Sequence, residues 1–172
     1  MSETTIREAL PTDADALHAY LVELISENLP TITLSSRPSS VEQLKVVLKH
    51  YADLNNSIFL LAILDGNIIG QLDFAGGLHE KRRHAGVVST SVHRDYRGQG
   101  IGTRLLEGLF EWASSNPHIT RVELEVLSNN QQAQDLYSRL GFIIEGIKRS
   151  AVIVDGQPVD SVAMARFFPN TS

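Results

Sequence analysis

The stretch Val92-His93-Arg94-Asp95-Tyr96-Arg97-Gly98-Gln99-Gly100-Ile101-Gly102-Thr103 decides how the rest of this 172-residue chain is read. Three glycines, at 98, 100 and 102, stand between an apolar run of strand length, Ala85 to Val92, and a segment of helical period in which Ile101, Leu105, Leu109 and Trp112 share a face. Without side chains the backbone of such a turn can lie close to a ligand. Its free N–H groups, with the helix dipole behind them, favour an anion. Arg94, Arg97 and Arg104 concentrate positive charge here, in a chain whose formal net charge is −5. A diphosphate fits this chemistry. Two familiar phosphate loops are excluded: G-x-G-x-x-G would need glycine at Thr103 or Leu105, and no G-K-[ST] follows the glycines. A strand-to-helix corner without a ligand would use the same residues, so the turn alone does not choose.

Working outward, the elements alternate. Thr4 to Glu8 reads as a first strand and Thr12 to about Asn28 as a helix with Leu17, Leu21, Leu24 and Ile25 on one face. Ser35 to Ser40 reads as a polar loop, and Ser39 with Glu42 forms a capping box opening a helix to about Leu54. Ile58–Leu64 and Ile68–Phe74 flank Asp65-Gly66-Asn67 as a hairpin. A polar loop, Gly76 to Arg83, leads to the Ala85–Val92 strand. After the glycine turn a helix runs to about Ser115, then a strand Arg121–Leu127, a helix Gln131–Leu140, and strands Phe142–Ile147, Ser150–Val154 and Val159–Phe168. This order predicts an α/β three-layer fold, a mixed central sheet of six to seven strands flanked by about four helices, in one domain spanning 1–172.

Composition narrows the function. Hydrophobic residues are 42% and charged residues 20%, ordinary for a globular domain. No apolar run is long enough for a membrane span, and Met1 to Leu10 lacks a basic start and apolar core, so a cytoplasmic location is expected. The acidic balance argues against nucleic acid as partner. The absence of cysteine excludes disulfides, thiolate-bound zinc and an acyl-enzyme thioester.

Arg97-x-x-Gly100-x-Gly102, joined by Asn130-x-x-Ala133-x-x-Leu136-Tyr137 and Leu140-Gly141-Phe142 downstream, resembles the acyl-CoA-binding half of the GNAT superfamily of N-acyltransferases. Glu145-Gly146 through Met164-Ala165 is similar to members acting on amino acids or other small amines. The specific match covers roughly 85–165. The resemblance implies acetyl-CoA as acyl donor, no metal, a small-molecule amine as acceptor, and a homodimer. It implies that Val92 offers its N–H to the thioester carbonyl, and that Arg97, Gly98, Gly100, Ile101 and Gly102 line the diphosphate. Asn130 would bond the pantetheine arm or cap its helix. Tyr137 would protonate the departing thiolate, a role consistent with a thiol near pKa 8.5 and a tyrosine near 10.

The base that frees the amine is less legible. Glu125, with Glu123 on the same strand face, is the leading candidate, acting through a water; Glu27, Asp73 and His84 are weaker ones. His79 and His84 imitate a zinc motif, but H-E-x-x-H would need its second histidine where Arg83 stands. Lys81-Arg82-Arg83 reads as a solvated loop. The sequence therefore predicts an acetyl-CoA-dependent N-acetyltransferase acting on a primary amine, with Tyr137 and Glu125 catalytic. Two alternatives stay open: a protein N-terminal acetyltransferase and a non-catalytic acyl-CoA-binding module. A dehydrogenase is disfavoured by the failed dinucleotide spacing.

Overall fold

A computed structural model describes residues 3–29 and 39–169. Its elements are β1 (Thr5–Glu8), α1 (Ala14–Ser26), α2 (Val41–Asp53), β2 (Ile58–Leu64), β3 (Asn67–Gly76), β4 (Ala85–Val92), α3 (Ile101–Ser115), β5 (Arg121–Leu127), α4 (Gln131–Arg139), β6 (Ile143–Val154) and β7 (Gln157–Phe167). The seven strands form one sheet in the order β1-β2-β3-β4-β5-β7-β6. Every neighbouring pair is antiparallel except β4 and β5, which run parallel.

The run Ile-Phe-Leu-Leu-Ala-Ile-Leu in β2 is apolar throughout because both of its faces are covered. Ile58, Leu60 and Ala62 join Leu105, Leu106, Leu109 and Phe110 of α3 in one core. Phe59 and Leu61 turn the other way, to Leu17, Tyr20 and Leu24 of α1 and Leu44 and Leu48 of α2. Helix α4 packs on the α3 side through Ala133, Tyr137 and Leu140. The three layers expected from the sequence are present.

One departure from regular pairing positions the site. The β4–β5 ladder joins Ala85–Val87 to Arg121–Glu123 and stops there, although β4 continues to Val92 and β5 to Leu127. Beyond Val87 the sheet opens between two strands that each keep their outer partner.

Several boundaries differ from expectation. Helix α1 is preceded by a 3₁₀ turn, Pro11–Asp13, because proline favours a helix start. The capping box falls one residue later: Ser40 Oγ accepts from Gln43 N at 3.2 Å, while Ser40 N donates to Gln43 Oε1 at 2.8 Å. Phe142–Ile147 and Ser150–Val154 join into the single strand β6, whose register on β7 shifts between Ile144 and Gly146 and between Lys148 and Val152. Ser150, at φ 51°, absorbs the second irregularity. The expected loop at Ser35 to Ser40 lies largely outside the described residues.

Candidate active site

The glycine turn and α4 with its N-cap wall a cavity of about 450 Å³. Val92, Tyr96, Arg97, Gly98, Gly100, Ile101, Gly102 and Thr103 line one side; Asn130, Gln132, Ala133, Leu136 and Arg139 line the other. Gly98 and Gly100 sit at φ 73° and 80°, in the left-handed region where glycine escapes the strain a Cβ brings. Gly100 is the N-cap of α3, which has no side-chain cap and no acidic residue in its first turn. The N–H groups that open α3 therefore face the cavity without a competing acceptor from the chain, as an anion site requires.

Backbone direction completes the thioester side. His93 N–H donates to Ile69 O across the β3–β4 ladder at 2.9 Å. Bonds alternate along an antiparallel strand, so the N–H of Val92 points away from β3 and into the opening left by β5. This arrangement fits a polarised carbonyl oxygen.

The arginines are used differently from the sequence expectation. Arg97 lines the cavity, but its Nε donates to Val92 O at 2.9 Å and its Nη2 pairs with Glu27 at 2.7 Å. Arg94 pairs with Glu23 and Arg104 donates to Thr4 O. Arg139, which sequence reading passed over, lines the cavity and makes no ion pair among the described residues. It lies on α4, three residues beyond Leu136, so helical periodicity from Asn130 could have found it.

Asn130 caps α4, its Oδ1 accepting from Ala133 N at 3.1 Å, which leaves its amide NH₂ available to a ligand. Tyr137 is half-buried, edge-on to Phe142 with ring centroids 5.7 Å apart. Its hydroxyl has no hydrogen bond among the described residues, and burial pushes its pKa up. It does not line the cavity itself.

The carboxylates expected to supply a base are dispersed. Glu125 bonds Lys148 Nζ and accepts from Ser161 Oγ at 3.0 Å; the ammonium chiefly holds its carboxyl below the usual range. That engagement weakens Glu125 as a base. Glu123 is taken up by Arg121 and Arg82. Asp73 accepts from Tyr51 Oη at 3.1 Å, and burial raises its pKa. His84 is exposed. Among the described residues, no three His, Asp or Glu side chains are grouped to hold a metal, the His79–His84 segment included.

The family model described as the acetyltransferase (GNAT) family matches residues 20–142. This chain belongs to the GNAT acetyltransferase family. An L-amino acid N-acetyltransferase, AaaT, of Escherichia coli is 28% identical over 107 residues, 62% of this chain and 66% of that protein. The ribosomal protein uS5-alanine N-acetyltransferase of the same species is 27% identical, over 66% of this chain and 60% of its own length. A crystal structure of a GNAT-family acetyltransferase from Streptococcus pneumoniae superposes with a TM-score of 0.92 at 31% identity, covering 97% of this chain and all of that one. Three solved neighbours sharing the fold at 19% identity contain acetyl-CoA or coenzyme A. As a GNAT protein the chain is an N-acetyltransferase using acetyl-CoA, and the cradle of uncapped N–H groups fits that co-substrate's diphosphate.

Proposed function

We propose that the chain transfers the acetyl group of acetyl-CoA directly to the primary amine of a small molecule such as an amino acid. The observation that carries this reading is the opening between β4 and β5, with the Val92 N–H directed into it beside the glycine cradle. Diphosphate docks on Gly98, Gly100 and the first turn of α3, with Arg97 alongside, and the Asn130 amide meets the pantetheine arm. The thioester carbonyl accepts from Val92 N–H. The amine nitrogen attacks that carbon; a C–N bond forms and the C–S bond breaks. The amine's proton leaves through water or Glu125, and Tyr137 donates its own to the departing thiolate. Its raised pKa keeps the hydroxyl protonated across the neutral range, the form an acid must have. The chain has no cysteine to carry an acyl thioester, which favours direct transfer.

The amino-acid acceptor is supported by the similarity to AaaT. A protein N-terminus is the second reading, favoured by the similarity to the uS5-alanine enzyme. A thermal-shift titration with acetyl-CoA, run beside thiol release over amino acids, other amines and short peptides, tests both. Acetyl-CoA at 100 times its Kd should add about 2.7 kcal/mol of stability. Gly100→Asp should abolish that gain by setting a carboxylate, on a strained backbone, against the diphosphate. Stabilisation without turnover on any amine or peptide would leave a binding module; preference for peptides would favour the second reading.

A further inference from the structure

The sheet face beneath α1 and α2 is apolar over β2 and polar along β3 and β4. Gln71 and Asp73 of β3 pair with Leu61 and Phe59 of β2, both in the core under these helices, and with Ser91 and Ser89 of β4. Tyr20, from α1, shares a 3.0 Å hydrogen bond with Ser91 Oγ. It lies within electrostatic reach of Glu27 and Arg97. Glu27, at the C-terminus of α1, bonds Arg97 through Oε2, and Arg97 in turn bonds Val92 O. This network runs from the end of α1 to the strand residue whose N–H faces the β4–β5 opening.

Two buried oxygens, Glu27 Oε1 within it and Gln71 Oε1 on the strand residue paired with Ser91, lack any hydrogen bond among the described residues. Gln71 is 9% exposed and the Glu27 side chain 8%. Buried polar atoms are rarely left without a partner, and those that are often mark a place where a ligand supplies it. Both orphans are acceptors. The donors in the network, Tyr20 with Ser91 and Arg97, already have partners. Each orphan needs a donor, and a carboxylate or phosphate would offer them only further acceptors. An ammonium group has N–H donors and no acceptor.

We propose that Gln71 Oε1 and Glu27 Oε1 form the seat that receives the acceptor substrate as a primary ammonium ion and holds its nitrogen beside Val92. This rests on the acetyltransferase reading of the site and assigns the recognition of the amine to two residues outside the acyl-CoA cavity. Because the seat uses N–H donors, replacing amine hydrogens by methyl groups weakens docking. Gln71 and Glu27 act here as binding residues, positioning the nitrogen before its proton leaves.

The test compares wild type, Gln71→Leu and Gln71→Glu, with the amine that wild type turns over best and its N-methyl and N,N-dimethyl derivatives. The readouts are KM for the amine, inhibition by the methylated derivatives, and the thermal shift given by acetyl-CoA. Gln71→Leu should raise the amine KM at least tenfold while the acetyl-CoA shift persists. Gln71→Glu, which retains an acceptor oxygen at this position, should hold KM within about threefold. Independently of any variant, the N,N-dimethyl derivative should bind wild type at least tenfold more weakly than the primary amine binds. If Gln71→Leu folds and its amine KM stays within twofold of wild type, the seat is overturned while the acetyltransferase reading stands. Should Gln71→Leu fail to fold, equal binding of the primary and dimethylated amines by wild type overturns it. Absence of wild-type turnover on every amine would overturn the underlying reading, and the seat with it.

Discussion

Tyr137 has two physical roles open to it, and its surroundings allow both. Its ring packs edge-on to Phe142 at the margin of the α3-side core, while its hydroxyl is left without a partner among the described residues. Phenylalanine keeps the packing and removes only the hydroxyl that would supply the proton. Tyr137→Phe should therefore lower kcat by about 10² to 10⁴, the usual worth of a general acid, with acetyl-CoA binding retained in a thermal-shift assay. A change below threefold would assign Tyr137 to packing alone. The arginines show why residue roles resist sequence reading. Arg94, Arg97 and Arg104 crowd the glycine turn in the chain, yet Glu23, Glu27 with Val92 O, and Thr4 O claim them in space. Nothing in local spacing announces Glu23, Glu27 or Thr4, about 70 to 100 positions away.

At the scale of elements, α4 is the clearest case of a segment whose start serves both structure and binding. Asn130 caps it and also lines the cavity. Asn130→Ala should cost about 1 kcal/mol of stability through the lost cap, read as a lower urea midpoint. If its amide NH₂ also meets the co-substrate, KM for acetyl-CoA should rise as well. An unchanged KM would confine Asn130 to capping. Helices and strands were legible because periods of 3.6 and 2 are local. The misplaced capping box shows the limit of that rule: Ser39 with Glu42 and Ser40 with Gln43 both satisfy the spacing. The choice falls to the register that lays Leu44 and Leu48 on the sheet. The joining of two expected strands into β6 was likewise decided by pairing with β7, which bridges the irregularity at Ser150.

For the whole molecule, ion pairs across elements set the response to acid. Arg7 chiefly lowers the pKa of Asp13, from an ordinary 3.8, and Lys148 that of Glu125, from 4.5. A carboxylate with a depressed folded-state pKa adds stability above its unfolded pKa and loses it as pH falls through the folded value. Melting temperature should accordingly fall below about pH 4.5, and Glu125→Gln should flatten that limb. Superimposable profiles of the two proteins would deny Glu125 its share. Asp73 acts in the opposite sense: burial raises its pKa, so its contribution is full below its unfolded pKa and fades as pH rises through the folded one. By itself the sequence determined the order of elements, the glycine turn opening a helix and the absence of a thiol, because each is a property of neighbours along the chain. Only the tertiary structure decided where β4 and β5 part, which arginine meets which carboxylate, and that Gln71 and Glu27 each hold a buried, unpaired oxygen. Those features depend on residues distant in sequence meeting across the sheet, where burial and partnership are settled together.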